Sequence, residues 1–154
     1  MSRLVMWLLP QPFAHGDLKP DNILVRDDDS IVLVDYDGMY VPAMKGEKSR
    51  ELGTPDFRHP DRTESDFDEH IDDYAAVSIL LSLKAIATNS SILEKYGAAD
   101  RLLISENDAR NIGNCTFFKE YFPCEDMEQN RLAEIFMIVL SEKHLASLPP
   151  RLFS

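Results

Sequence analysis

The sequence has 154 residues, 44% of them hydrophobic and 28% charged, and its 27 acidic against 16 basic side chains give a net charge of −11. That length fits one domain, or part of a larger one, with a real hydrophobic core, and the balance excludes a disordered tail. A field of that sign argues against nucleic acid and anionic membranes as partners, and it attracts divalent cations.

The chain opens on "MSRLVMWLLPQPF", whose apolar run Leu4–Leu9 is broken by Pro10. The run is too short to span a bilayer and has a poor signal-peptide shape. Residues 3–9 therefore predict a short apolar helix, the end of a buried one, stopped by Pro10 and Pro12. After a polar loop, "NILV" (22–25) and "SIVLVD" (30–35) are β-branched runs joined by "RDDD", which predicts a hairpin over 23–34 with Asp27, Asp28 and Asp29 as a solvated turn. From Gly38 to Glu69 no period is sustained, and this reads as one long irregular segment. "HIDDYAAVSILLSLKAIA" (70–87) is apolar around nearly its whole circumference after Asp73, the mark of a buried central helix. "SSILEKYGA" (90–98) predicts a short helix with a Ser cap and Gly97 as its stop, and "SENDARNI" (105–112) another with Ser105 as cap. Cys115 and Cys124 form neither a disulfide framework nor a zinc spacing, so a reducing cytoplasm is the easier setting. "MEQNRLAEIFMIVLSEKHL" (127–145) predicts a long amphipathic helix closed by the Pro pair at 149–150. The fold class expected is α+β, mainly α.

The polar loop carries the chemistry. "HGDLKPDN" (15–22) sets an imidazole, two carboxylates, an ammonium group and an amide in eight residues. Phosphoryl transfer from ATP needs a placed hydroxyl, neutralised phosphate oxygens and metal ions rather than covalent help. In such a reaction Asp17 would accept the hydroxyl proton, Lys19 would meet the transferring phosphate and Asn22 would hold Mg2+. Asp35 stands at the end of the second strand, in "VLVDYDG". His15 reads as structural, Asp21 as a surface residue, and His59, His70 and His144 have no metal-like spacing. The run Lys45 to Arg50 reads as a solvated loop.

"HGDLKPDN" resembles the protein-kinase signature H-R-D-x-x-x-x-N, and "DYD" (35–37) resembles D-F-G. "GTPDFRHPD" (53–61) resembles the end of a kinase activation segment, with Asp61 supplying the carboxylate of its last triplet. "IDDYAAVSILL" (71–81) looks like the central buried kinase helix, whose opening Asp, here Asp72, ties to the catalytic-loop backbone. The resemblance is to the C-terminal lobe of a serine/threonine-type protein kinase, a partial domain over 1–154 that matches best over 4–85. It implies Asp17 and Lys19 as catalytic residues, Lys19, Asn22 and Asp35 at the ATP and Mg2+ site, His15, Asp61 and Asp72 in structural roles, and a protein Ser or Thr hydroxyl as acceptor. Gly16 replaces the Arg that pairs with a phosphorylated activation loop, so control by that route is not expected. Asp37 replaces a Gly, whose bend is expected to move to Gly38.

No Gly-rich phosphate loop, V-A-I-K-like strand or partner Glu helix occurs in these residues; the family places them ahead of the stretch that matches. The chain is thus expected to stand as a C-terminal lobe alone, binding Mg-nucleotide weakly without appreciable activity, and to expose an apolar patch from Leu4, Val5, Trp7 and Leu8. A companion chain carrying the N-terminal lobe, or a regulatory protein, is the expected partner. Two other readings stay open: a noncatalytic, pseudokinase-like interaction module, and a small-molecule phosphotransferase of the aminoglycoside-kinase type. The "GTPDFRHPD" block belongs to the protein-kinase group and has no role in the last.

Overall fold

In a computed structural model, which describes residues 1–143, the protein is α+β and mainly helical, with one small antiparallel sheet. Helix α1 (Ser2–Leu8) leads into the polar loop. Strands β1 (Ile23–Val25) and β2 (Ile31–Leu33) pair with Ile23 opposite Leu33 and Val25 opposite Ile31. The turn between them holds Asp29 at φ 62, a left-handed conformation that Asp tolerates better than most residues. The long segment that follows has only two 3-10 turns, Pro42–Met44 and Pro55–Phe57, each opened by a proline whose fixed φ suits a first helical position.

Helix α2 (Asp73–Thr88) is the centre of the molecule: every side chain from Asp73 to Ser82 is buried. It packs against α6 (Met127–Glu142), where Tyr74 meets Phe136 with ring centroids 5.5 Å apart. Such fully buried side chains each contribute roughly 1.5–3 kcal/mol by leaving water. Three shorter helices complete the fold: α3 (Ser91–Tyr96), α4 (Glu106–Arg110) and α5 (Thr116–Tyr121). Ser105 caps α4 as expected, in a reciprocal box with Asp108. No described helix is long and apolar enough to cross a membrane.

Three expectations are corrected, and the stop at Gly97 holds for a reason of packing. Ser90 makes no cap for α3; the carboxamide oxygen of Asn89 takes that role, accepting from the Ser91 amide at 3.1 Å and from its hydroxyl at 2.7 Å. Gly97 does end α3, but at φ −85, so it serves by lack of a side chain: a Cβ there would lie 2.6 Å from Leu93. Helix α6 stops at Glu142 rather than 145, since Lys143 turns left-handed at φ 68; the Pro pair at 149–150 and His144 lie outside the described residues. Of the expected apolar patch, only Trp7 is exposed and Leu4 half-buried. Val5 and Leu8 sit in the core, because one face of α1 lies on α2.

His59 and His70 are structural. His59 Nε2 lies 2.7 Å from the Leu140 carbonyl, tying the loop after residue 58 to α6. His70 Nδ1 lies 3.1 Å from the Asp73 carboxylate at the start of α2. That hydrogen bond raises His70 above its ordinary value of 6.5, against the opposing effect of burial. A raised histidine favours the folded state while protonated, so its contribution is whole below about pH 6.5 and is lost as pH rises through the folded value. Urea midpoints measured from about pH 5.5 to about pH 8.5 should fall across that window, and His70→Asn should flatten the fall.

Candidate active site

The loop that carries Asp17 is held from several directions. Ala14 exchanges backbone hydrogen bonds of 3.0 and 2.9 Å with Tyr40, which fixes the entry to the loop. The His15 ring is buried, with Nε2 2.7 Å from the Val34 carbonyl and Nδ1 3.2 Å from the Asp17 amide. A carbonyl only accepts and an amide only donates, so Nε2 is placed to donate to Val34 and Nδ1 to accept from the Asp17 amide. His15 therefore ties the loop to the exit of the hairpin.

Asp72 stands immediately before α2, yet its carboxylate does not cap that helix. It accepts from the backbone N–H groups of His15 at 2.5 Å and Gly16 at 2.9 Å. Burial pushes this carboxyl above its ordinary value, and the two N–H donors pull the other way. Gly16 adopts φ 91, and a Cβ there would fall 2.0 Å from the Gly38 carbonyl oxygen, so no side chain fits. The position where the resemblance expects an Arg is therefore closed by packing. The expected bend at Asp37 or Gly38 is not found: neither has a positive φ, and Asp35 takes the left-handed conformation at φ 63. Gly38 gives close approach to Gly16 instead.

Asp17, Lys19 and Asn22 come together. Asp17 Oδ1 accepts from both the amide and the hydroxyl of Thr54, each at 3.0 Å. Lys19 Nζ donates to the same Thr54 hydroxyl at 3.0 Å and stands 3.7 Å from Asp17 Oδ2. The buried Asn22 amide group donates to the Asp17 carbonyl at 2.8 Å, with a longer contact of 3.4 Å to Oδ2. Oδ1 is thus engaged by two short bonds, whereas Oδ2 has only the longer contacts to Asn22 and Lys19. Beside Lys19 and Thr54 opens a cleft of about 520 Å3, lined by Pro20, Phe57, Leu93 and Leu102.

Asp35 is exposed one residue beyond Val34, whose amide donates to the Asn22 carbonyl at 3.0 Å. Its carboxylate makes no hydrogen bond among the described residues. Asp61 is apart from this cluster: its largely exposed carboxylate lies 3.8 Å from Arg110, which donates to the Pro60 carbonyl at 2.7 Å. Asp21 is exposed, as expected.

Two residues at the site were not among its predicted members. Thr54 lay inside the quoted "GTPD" stretch, where a threonine between Gly53 and Pro55 was the available signal. Arg62 follows "HPD" directly and carried no signal of its own. Its buried guanidinium donates to the carbonyls of Gly16 at 3.2 Å, Leu52 at 3.0 Å and Glu51 at 3.4 Å, and to the Ser49 hydroxyl at 3.3 Å. Burial lowers its pKa from the ordinary value while the Asp72 carboxylate supports the charge. Gly53, at φ 81, lets the segment pass close to the loop, since a Cβ there would lie 3.0 Å from the Gly16 carbonyl.

No protein-family model matches the chain, and no curated protein matches it. Among the described residues no group of three His, Cys, Asp or Glu side chains is placed to hold a metal ion. Mg2+ at a nucleotide needs only one or two protein oxygens, the rest coming from phosphates and water. Two oxygen donors near the loop are not spent on hydrogen bonds among the described residues. The Asn22 amide nitrogen is spent on Asp17, which leaves its carbonyl oxygen for a cation, and the Asp35 carboxylate faces solvent.

Proposed function

We propose that the chain is the catalytic C-terminal lobe of an ATP-dependent serine/threonine-type protein kinase, transferring a phosphoryl group to a protein hydroxyl. The observation that carries this reading is the Asp17 cluster. One carboxylate oxygen is anchored by Thr54 and the other stands near Lys19, with Asn22 bonded back to the same loop. Asp17 orients the acceptor hydroxyl and takes its proton at Oδ2, and Lys19 offsets charge on the transferring phosphate. Asn22 and Asp35 would hold Mg2+, which when bound neutralises phosphate oxygens. Asp72 and His15 act on the loop backbone rather than on reactants.

The contact from Thr54 to Asp17 also favours a protein acceptor over the aminoglycoside-kinase type, because the "GTPD" segment then has a part in the site. On this reading the 154 residues supply only part of a nucleotide pocket, since they contain no Gly-rich phosphate loop. The pure chain should bind Mg-ATP weakly and turn over poorly. Titration followed by NMR should show binding that needs Mg2+ and weakens at least tenfold in Asp35→Asn, with the fold retained. Any residual transfer to a Ser/Thr peptide should disappear in Asp17→Asn. Absence of Mg-ATP binding at millimolar nucleotide, or binding indifferent to Asp35, would favour the noncatalytic reading.

A further inference from the structure

The hairpin leaves one sheet edge open beside an apolar groove. The bonds Arg26 N–H to Ser30 and Val34 N–H to Asn22 flank the ladder, so Leu24–Val32 is the hydrogen-bonded pair between them. The backbone groups of Ile31 and Leu33 consequently point away from β1. The Leu33 carbonyl is taken by the Tyr36 hydroxyl at 2.7 Å, while the N–H of both residues and the Ile31 carbonyl have no partner among the described residues. Along this edge runs a groove of about 710 Å3 whose lining includes Leu4, Phe13, Ile31, Leu33 and Met39. Trp7 and Tyr36, both about half exposed, also line it. A two-stranded ribbon is marginal alone, and a row of free backbone groups next to an apolar trough is a template for a further strand.

The surrounding charge selects the occupant. Asp27, Asp28, Asp29, Asp35 and Asp37 are all exposed along the hairpin and its exit, against Arg26 and Arg3. A second copy of this chain would bring the same carboxylates to the contact. We propose that the open edge of β2 accepts an extended, basic segment of a partner protein, added as a third strand. Its alternate aliphatic side chains fill the groove, and its Lys or Arg side chains face the aspartate turn. This inference does not rest on the phosphoryl-transfer reading.

Trp7 is the chain's only tryptophan and reports directly on the groove. The full chain would be titrated with a blocked octapeptide alternating Val and Lys, with its Val/Glu counterpart, and with two Val/Lys peptides N-methylated at one or the other set of alternate residues. The Val/Lys peptide should bind and shift Trp7 emission to the blue. The Val/Glu peptide and one of the two N-methylated peptides should each bind at least tenfold more weakly, and Asp27→Asn/Asp28→Asn should weaken the parent. Equal binding of Val/Glu, unchanged binding of both N-methylated peptides, or no Val/Lys binding by a chain whose circular dichroism shows it folded would overturn the proposal. So would a concentration-dependent Trp7 shift and dimer mass without peptide, which would make the occupant a second copy.

Discussion

Replacing Asp72 by alanine is expected to destabilise the protein by about 3–5 kcal/mol, a large share of the 5–15 kcal/mol typical of a domain. The carboxylate is buried and its two oxygens serve the amides of His15 and Gly16. Its removal leaves two buried N–H groups without partners, each costing about 1–3 kcal/mol. Asp72→Asn retains one acceptor oxygen but turns an NH2 toward a donor, so it should fall between wild type and alanine. Urea unfolding followed by circular dichroism decides the matter. An unchanged midpoint in Asp72→Ala would mean that the loop finds other acceptors and that this carboxylate does not hold it.

Gly16→Ala should cost about 3 kcal/mol or more and should disturb the Asp17 cluster directly. Two effects add: the positive φ itself, roughly 1–3 kcal/mol for a residue with a Cβ, and a methyl group forced onto the Gly38 carbonyl. Gly46 supplies the control. It has nearly the same φ, 87, but nothing within 4 Å of where its Cβ would be, so Gly46→Ala carries the conformational cost alone, about 1–2 kcal/mol. The difference between the two variants measures the clash. The amide resonances of Asp17 and Thr54 should move in Gly16→Ala and stay in Gly46→Ala. Equal midpoints for the two would show that Gly38 yields freely.

The elements that were legible in the sequence are those with a local cause. The all-round apolarity of residues 74–82 marks a helix with no solvent face, and α2 has none there. The β-branched runs about "RDDD" mark a hairpin, and the register pairs them as a hairpin requires. Helix α5 was not legible: Thr116–Tyr121 is six residues long, rich in aromatics of middling helix propensity, and has no side-chain cap. It exists because Phe117 is buried among Tyr96, Tyr121 and Phe122. The site divides in the same way. Asp17, Lys19 and Asn22 lie within six residues, and their chemistry could be read from spacing. Thr54 and Arg62 reach the loop across separations of 37 and 46 residues, through tertiary contacts that no local pattern records.

Arg62 has a consequence for how the protein opens. One guanidinium spans the loop before Asp17 and the chain from Ser49 to Leu52, so neither can peel away without breaking the other's bonds. The amide protons of His15, Gly16, Asp17 and Thr54, all hydrogen-bonded, are therefore expected to exchange with solvent together, as one opening unit, in hydrogen exchange followed by NMR. Lysine, a point charge with three donors on a flexible stem, would not bridge the same acceptors, so in Arg62→Lys the unit should split, with Thr54 exchanging ahead of His15 and Gly16. The acceptor geometry around Asp17 is in this sense all or none: the two segments keep it jointly or lose it jointly.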